Sequence, residues 1–204
     1  MYHTGQTVYL IVKDFIAFIL TTAGIIIAGM GLFTWQKQIK GSKEFKASYN
    51  LNYSLLRLRN AIKYVRNPAI WPSEQYMATQ YFKNKYPEKV GTEEEKNISN
   101  SYVYEMRWEK ITNAYEKMES HILAAEVLWG SEILEKIKPL KKKVNELSIM
   151  LKQNFTPFDL RAHSQKEIGE VIYDMSSDNK EDNFNEEVNN AIEEIKKYLK
   201  EKSG

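Results

Sequence analysis

The chain has 204 residues, a formal net charge of +2 and no cysteine, which excludes disulfides, thiolate catalysis and cysteine-bound zinc. The charge is unevenly distributed: residues 1–72 carry 9 basic and 2 acidic side chains, whereas residues 158–204 carry 7 basic and 12 acidic ones. The acidic C-terminal segment therefore either packs against the basic part or faces solvent.

The first predicted element is an uncharged apolar run over residues 15–33, FIAFILTTAGIIIAGMGLF. At about 1.5 Å of rise per residue, a helix of this length just crosses the hydrocarbon core of a bilayer. We predict a membrane anchor over residues 1–36, with the transmembrane helix at about 15–34. A retained anchor is favoured over a cleaved signal peptide, because Lys13 is followed by Asp14 and no small-residue cleavage site ends the run.

The residues that flank this run predict its orientation. Trp35 suits the interfacial belt, and four lysines follow it: Lys37, Lys40, Lys43 and Lys46. On the other side Lys13 stands beside an acid. The positive-inside rule therefore predicts that the long C-terminal part is cytoplasmic and that the N-terminus lies outside.

The predicted membrane helix also has a face of small residues. Gly24, Ala28 and Gly31 recur at steps of four and three residues, which places them on one side of a helix. Small residues at this spacing permit close approach of two helices in lipid. We therefore expect the bilayer as a partner, and homo-oligomerisation through this face as a possible mode of association.

Beyond the anchor, apolar residues recur with helical period. The first seam comprises Leu51, Leu55, Leu58, Ile62 and Val65. Its helix is expected to end at Asn67-Pro68, because proline disfavours helical geometry in the residue before it. The second seam comprises Trp108, Ile111, Tyr115, Met118, Ile122, Ala125 and Trp129, and continues through Ile133, Ile137, Leu140, Val144, Leu147 and Leu151. Gly130 and Pro139 are predicted kink points in this second stretch.

Shorter helices are predicted around these two seams. One follows Ser73, and a charged turn follows it at residues 91–96, where Thr92 and Glu95 have capping-box spacing. Ser164 and Glu167 have the same spacing and start a short helix that ends near Met175. Residues 176–183 are polar enough for a linker. A last amphipathic helix carries Phe184, Val188, Ile192, Ile195 and Leu199 and frays after residue 199.

These elements predict an all-α fold, in which an N-terminal transmembrane helix is followed by an elongated antiparallel helical bundle. We assign residues 37–175 to the cytoplasmic bundle and residues 176–204 to the linker and the C-terminal helix. The heptad spacing does not distinguish seams that pack within one chain from coiled coils between chains.

The sequence offers no catalytic, cofactor-binding or metal-binding residues that we can assign. Histidine occurs only at His3, His121 and His163, and Glu167 near His163 is better explained as the capping acid. Neither a phosphate-binding glycine loop nor a nucleophile elbow is present. The lysines at residues 136–143 are typical of a solvated helix face, so nucleic acid is not expected as a partner.

A second basic cluster comprises Arg57, Arg59, Lys63 and Arg66. It lies on a helix that leads from the membrane, and its partners are lipid head groups, the acidic tail or carboxylates of a facing helix. Our specific hypothesis is that Arg59 or Arg66 pairs with Glu126, which precedes Trp129 on the second seam.

Three segments carry a resemblance to known proteins: WQKQIKG at residues 35–41, RNAIKYVRNP at residues 59–68 and AAEVLWG at residues 124–130. Together they resemble an uncharacterised family of small bacterial single-pass membrane proteins with a helical cytoplasmic domain. The resemblance covers about residues 10–155. It implies a bacterial origin and an inner-membrane location, and it supplies no activity.

Two classes of function remain at this point. The favoured one is a non-enzymatic, membrane-anchored interaction or scaffold protein that binds an unknown protein partner or self-associates. The alternative is a membrane-bound effector or enzyme whose site is assembled from scattered charged residues.

Overall fold

The computed structural model describes residues 2–174 and 182–203, and every regular element within them is helical. The α-helices are α1 (Tyr2–Arg66), α2 (Pro72–Lys85), α3 (Glu93–Trp129), α4 (Glu132–Asn154), α5 (Gln165–Ile172) and α6 (Asn183–Ser203). Two short 3₁₀ segments, Pro87–Lys89 and Phe158–Leu160, stand between them. The predicted all-α class is confirmed. The predicted linker falls outside the described residues, except for Asp182 and Asn183.

The chain divides into two compact units, Met1–Phe45 and Lys46–Gly204. The predicted boundary lay at residue 36, and the predicted C-terminal region at residues 176–204 was separate from the bundle. In the structure α6 is part of the second unit, because its apolar stripe packs against α4.

In the first unit, α1 has the length and apolarity needed to cross a membrane, and it is the one helix of the described part that does. The large apolar side chains from Phe15 to Phe33 are exposed, Phe33 to 77%. The hydroxyls of Thr21, Thr22 and Thr34 donate to backbone carbonyls four residues earlier, at 2.8–2.9 Å. These polar groups are therefore satisfied within the helix, as a lipid environment would require.

The second unit is built on the apolar seams that the sequence predicts. All five residues of the first seam are buried in the C-terminal part of α1, and the five apolar residues predicted for the last helix are buried in α6. On the second seam, Trp108, Tyr115 and Trp129 are partly buried and pack against the same core, and the other members are buried. These residues form one hydrophobic cluster. Helix α6 continues to Ser203 and does not fray after residue 199 as predicted.

The second seam passes from α3 to α4 at Gly130. The predicted kink is a complete break: α3 ends at Trp129, and Gly130 has φ 81° and ψ −175°, a conformation that is essentially restricted to glycine. Beyond the break, Lys141 of α4 pairs with Glu119 of α3 at 2.8 Å. Pro139 lies inside α4 without ending it.

One of the two predicted capping boxes is present in the structure. Ser164 forms the predicted capping box with Glu167, with reciprocal backbone bonds of 2.8 and 3.3 Å. Thr92 is the N-cap of α3, but its hydroxyl donates to the carbonyl of Lys89 instead of accepting from the helix. The Glu95 carboxylate accepts from the Gly91 N–H instead, so the predicted reciprocal box is wrong in detail.

The first testable prediction concerns the backbone at Gly130. Gly130→Ala should lower the free energy of unfolding by about 1–3 kcal/mol, because a Cβ strains this conformation. Gly169→Ala is the matched control, since Gly169 lies within α5 and its added Cβ meets only Tyr173 at 3.9 Å. Urea unfolding of the detergent-solubilised full chain, followed by circular dichroism, measures both. Equal effects of the two substitutions would contradict the assignment.

Candidate functional site

The corner that follows α1 contains a fully buried arginine. Pro68 ends the helix, and the side chain of Arg66, the last helical residue, is 0% exposed. Its guanidinium donates to both carboxylate oxygens of Asp182, at 3.0 and 3.1 Å. It also donates to the backbone carbonyls of Glu170, Val171 and Tyr173, at 2.6–3.1 Å. One cation thus contacts two segments that are distant in sequence.

These bonds satisfy helix ends that would otherwise lack partners. Glu170 and Val171 lie in the last turn of α5, where carbonyls have no intrahelical donor. Asp182 accepts the N–H of Asn185 at 2.9 Å and so caps the first turn of α6. The carbonyl of Arg66 in turn accepts from the Asp174 N–H at 2.8 Å. Arg66 therefore joins the ends of α1 and α5 to the start of α6.

A second buried arginine, Arg107 of α3, contacts the same corner. Its guanidinium forms a bidentate pair with Glu74 of α2, at 2.7 and 2.9 Å. Two further bonds of 2.6 Å go to the carbonyls of Asn67 and Ala69. Because a planar guanidinium presents donors in a fixed fork, it fixes both the acid and the loop backbone.

Glu74 is the acid at the centre of this second network. Besides Arg107, it accepts the Tyr64 hydroxyl at 2.8 Å and the Trp71 N–H at 2.9 Å. The hydrogen bonds from Arg107, more than any other contact, lower the pKa of Glu74 from 4.5 to about 2, although burial opposes this shift. The carboxylate is therefore fully ionised at neutral pH.

The predicted pairing of the basic cluster with Glu126 is not what the structure contains. Arg66 pairs with Asp182, so the acidic C-terminal segment, one of the open alternatives, supplies its partner. Arg59 and Glu126 form no ion pair within the described part of the chain, and Arg59 Nε is buried without a hydrogen-bond acceptor there. The physical reason is that the end of α1 lies beside Arg107 of α3, which bonds the carbonyl of Asn67, whereas Glu126 lies 19 residues further along α3, about 28 Å of helical rise.

The other predicted interaction residues lie apart from this corner. Trp129 packs edge-on against Tyr198 of α6, with ring centroids 6.4 Å apart. Gly24 and Gly31 lie in the first unit, where a Cβ added to either would meet no atom within 4 Å, and Ala28 is exposed on the same helix. The candidate residues therefore do not form one site.

Sequence reasoning missed Arg107, Glu74 and Asp182. A signal for Arg107 was available, because it lies four residues before Ile111 and three after Tyr104, on the buried side of α3. An arginine at a seam position requires a buried counter-ion. The identity of that counter-ion was not available, since Glu74 and Asp182 lie on separate elements.

A cavity of about 540 Å³ opens between α4, α5 and α6. Its lining includes Lys143, Tyr173, Asp182 and Glu187. Asp182 is bound to Arg66, and Lys143 is paired with Glu146 and Glu187. These charged groups form ion pairs with other residues of the chain, so the charges that line the cavity are already paired.

The remaining candidates also form internal contacts. Two further lysines of α4 pair with acids, Lys138 with Glu135 and Lys141 with Glu119. The described residues contain no group of three or more metal-ligating side chains. The His163–Glu167 pair considered above is explained by the capping box, since Glu167 bonds Ser164.

The described residues define a class: an all-helical protein with one candidate membrane-spanning helix and a helical unit joined by two buried arginines. No family model, curated protein or solved structure matches this chain.

The Glu74–Arg107 pair makes a pH prediction. Because the folded pKa of Glu74 is lower than the unfolded value, its stabilisation is complete above about pH 4.5 and is lost as the pH falls toward 2. The loss should reach about 2 kcal/mol at pH 3. Glu74→Gln should remove this part of the pH dependence, and at neutral pH it should cost about 3 kcal/mol, because Arg107 is left buried without a counter-ion. Urea midpoints of both proteins between pH 3 and 7 measure the difference, and parallel pH profiles would refute it.

The Arg66–Asp182 pair is tested by a double-mutant cycle. Arg66→Met and Asp182→Asn should each destabilise the chain, the first by about 3–5 kcal/mol, with a coupling energy of about 1–3 kcal/mol. Lys83→Met is the control, because Lys83 is exposed and has no ion pair in the described part of the chain. It should change stability by no more than about 0.5 kcal/mol. Additive effects of the two substitutions would show that the pair is not coupled.

Proposed function

We propose that this protein is a membrane-anchored helical interaction or scaffold protein, without enzymatic activity of its own, that acts by binding a protein partner or by self-association. The observation that carries the proposal is the composition of α1. One continuous helix exposes apolar side chains at residues 15–33 and buries apolar side chains from Leu51 onward. The first stretch has no protein partner among the described residues, whereas the second is part of a hydrophobic core.

The first stretch supports membrane anchoring. Exposed contiguous apolar surface of this size is unfavourable in water and is the normal surface of a helix in lipid. The lysines at residues 37–46 supply the positive charge that retains the C-terminal unit in the cytoplasm. The proposed location is the bacterial inner membrane, with the N-terminus outside. The bacterial assignment follows from the resemblance given above and stays a prediction.

For the second unit we propose an antiparallel bundle of α1, α3, α4 and α6. Three contacts support it. Lys110 of α3 lies 3.4 Å from the centre of the Tyr64 ring of α1. Tyr104, early in α3, packs on Phe155, directly after α4. Lys202, late in α6, pairs with Glu132 at the start of α4. The second and third contacts join an early position of one helix to a late position of another, as in up-and-down neighbours.

The engagement of the buried charges supports an interaction role. Arg66, Arg107, Glu74 and Asp182 each bind partners that stabilise the corner, and Lys143 at the cavity is doubly paired. Catalytic sites commonly hold titratable groups without such full compensation. The arrangement therefore favours a rigid unit that presents its surface to a partner.

Anchoring is tested by membrane fractionation of cells that express the full chain. The wild-type protein should float with membranes and resist carbonate extraction. Ile19→Lys combined with Ile26→Lys should release it, because each charge at the centre of a span costs about 2.5–3.5 kcal/mol. Val127→Lys together with Leu123→Lys is the control, since these side chains are exposed apolar residues of the second unit. Extraction of the wild-type chain by carbonate would refute the anchor.

Orientation is tested by thiol labelling, for which the cysteine-free chain is suited. A membrane-impermeant maleimide should label Gln6→Cys in intact spheroplasts, and should label Asn145→Cys only after lysis. The reverse pattern would place the helical unit outside.

A further inference from the structure

The outer face of α1 in the second unit has an unusual composition. Opposite its buried seam, the helix exposes Tyr49 to 61% and Tyr53 to 53%, together with Arg57 and Lys63. No acidic residue occurs between Lys46 and Arg66. Within the described part of the chain these four side chains make no ion pair or ring contact. The face is therefore aromatic toward its start and cationic toward its end.

The outer face of α6 carries charges of both signs. The helix buries Phe184, Val188 and Ile192 against the core and exposes Glu186 and Glu193 in its first half. Glu193 is bonded only within its own helix, to Lys196 at 2.7 Å. In the second half the exposed charged residues are Glu194, Lys197, Lys200 and Glu201, and the two lysines continue the helical line of Glu186 and Glu193. This line is therefore acidic toward its start and cationic toward its end.

The contacts of Arg66 show which residues of α1 and α6 lie at the same level along the helix axes. Arg66 pairs with Asp182 and stacks on Phe184, with 4.6 Å from the guanidinium carbon to the ring centre. The end of α1 thus lies beside the start of α6. In the proposed antiparallel bundle, residues counted back from Arg66 are level with residues counted forward from Asp182.

This count matches each group on α1 with a complementary group on α6. The level pairs are Lys63 with Glu186, Arg57 with Glu193, Tyr53 with Lys197 and Tyr49 with Lys200. The two members of each pair differ in height by no more than about two residues, or ~3 Å of helical rise. Two of the pairs are ion pairs and two are cation–π pairs. None of the four occurs within the described chain, because both faces point away from its core.

We propose that the outer faces of α1 and α6 form a two-fold interface between two copies of this chain. A two-fold axis parallel to the helices preserves every height, so that α1 of each copy meets α6 of the other and all four pairs form twice. The inference rests on the proposed membrane-anchored bundle, because two copies anchored in one bilayer share their orientation.

The interface is tested by disulfide trapping in membranes of cells that express the full chain. Asn60 and Asn190 are exposed, lie on the two outer faces and are level in the same count. Two separately tagged variants, Asn60→Cys and Asn190→Cys, should form a covalent heterodimer on mild oxidation. Asn60→Cys with Asn113→Cys is the control, because Asn113 is an exposed asparagine of α3. Equal yields from the two combinations would overturn the proposal.

Charge reversal and rescue test the complementarity itself. Arg57→Glu with Lys63→Glu should lower the yield of the Asn60–Asn190 cross-link about tenfold. Adding Glu186→Lys and Glu193→Lys to the same chain should restore it. A misfolded variant would not be rescued by two further surface changes, so failure of the rescue counts against the interface.

Flotation of the same samples separates this proposal from the proposed function. Protein that floats with membranes and forms no specific cross-link retains its anchor and lacks the interface. If charge reversal instead reduces binding to vesicles of anionic phospholipid and leaves the cross-link unchanged, the outer face of α1 binds lipid and the proposal is wrong. Protein absent from the membrane fraction refutes the anchor itself.

Discussion

The second unit depends on the burial of two arginines beside one chain corner. A guanidinium ion cannot be buried alone, because the loss of hydration costs several kcal/mol. Arg66 and Arg107 each compensate this cost with one bidentate carboxylate and two or three backbone carbonyls. The carbonyls belong to helix ends and to a loop, which are the places where acceptors lack partners. The corner at residues 66–69 is thereby bonded to α3, to α5 and to Asp182, which caps α6.

This arrangement explains how a chain of moderate hydrophobicity builds a defined unit. The apolar seams supply most of the burial, but a seam at regular spacing can slide by a turn or pair with another copy. The two arginine networks remove that freedom, because each requires a particular carboxylate at a particular end of a helix. The hydrophobic seams provide the driving force for packing, and the buried ions provide its register.

The two parts of α1 expose different surfaces, and the proposed function depends on this difference. Residues 15–34 expose apolar side chains, and the three threonine hydroxyls among them bond within the helix. The residues after Lys46 bury one face and expose a cationic, aromatic one. A bilayer suits the first surface. A complementary protein surface suits the second, and the proposed interface supplies it from α6 of another copy.

The sequence by itself determined the helices and most of the core. Periodicity located all three apolar seams, proline ended α1 at Arg66, and Ser164 with Glu167 located the start of α5, because these signals act between residues a few positions apart. The tertiary structure alone decided the partners of the charges. The chain offers many acids to Arg66, and the one it binds, Asp182, is more than a hundred residues away. That choice depends on which helix termini meet, and the same holds for Arg107 and Glu74. The spacing of residues along the sequence does not reveal which carboxylate each arginine binds, because this choice depends on burial and on the geometry of the planar guanidinium.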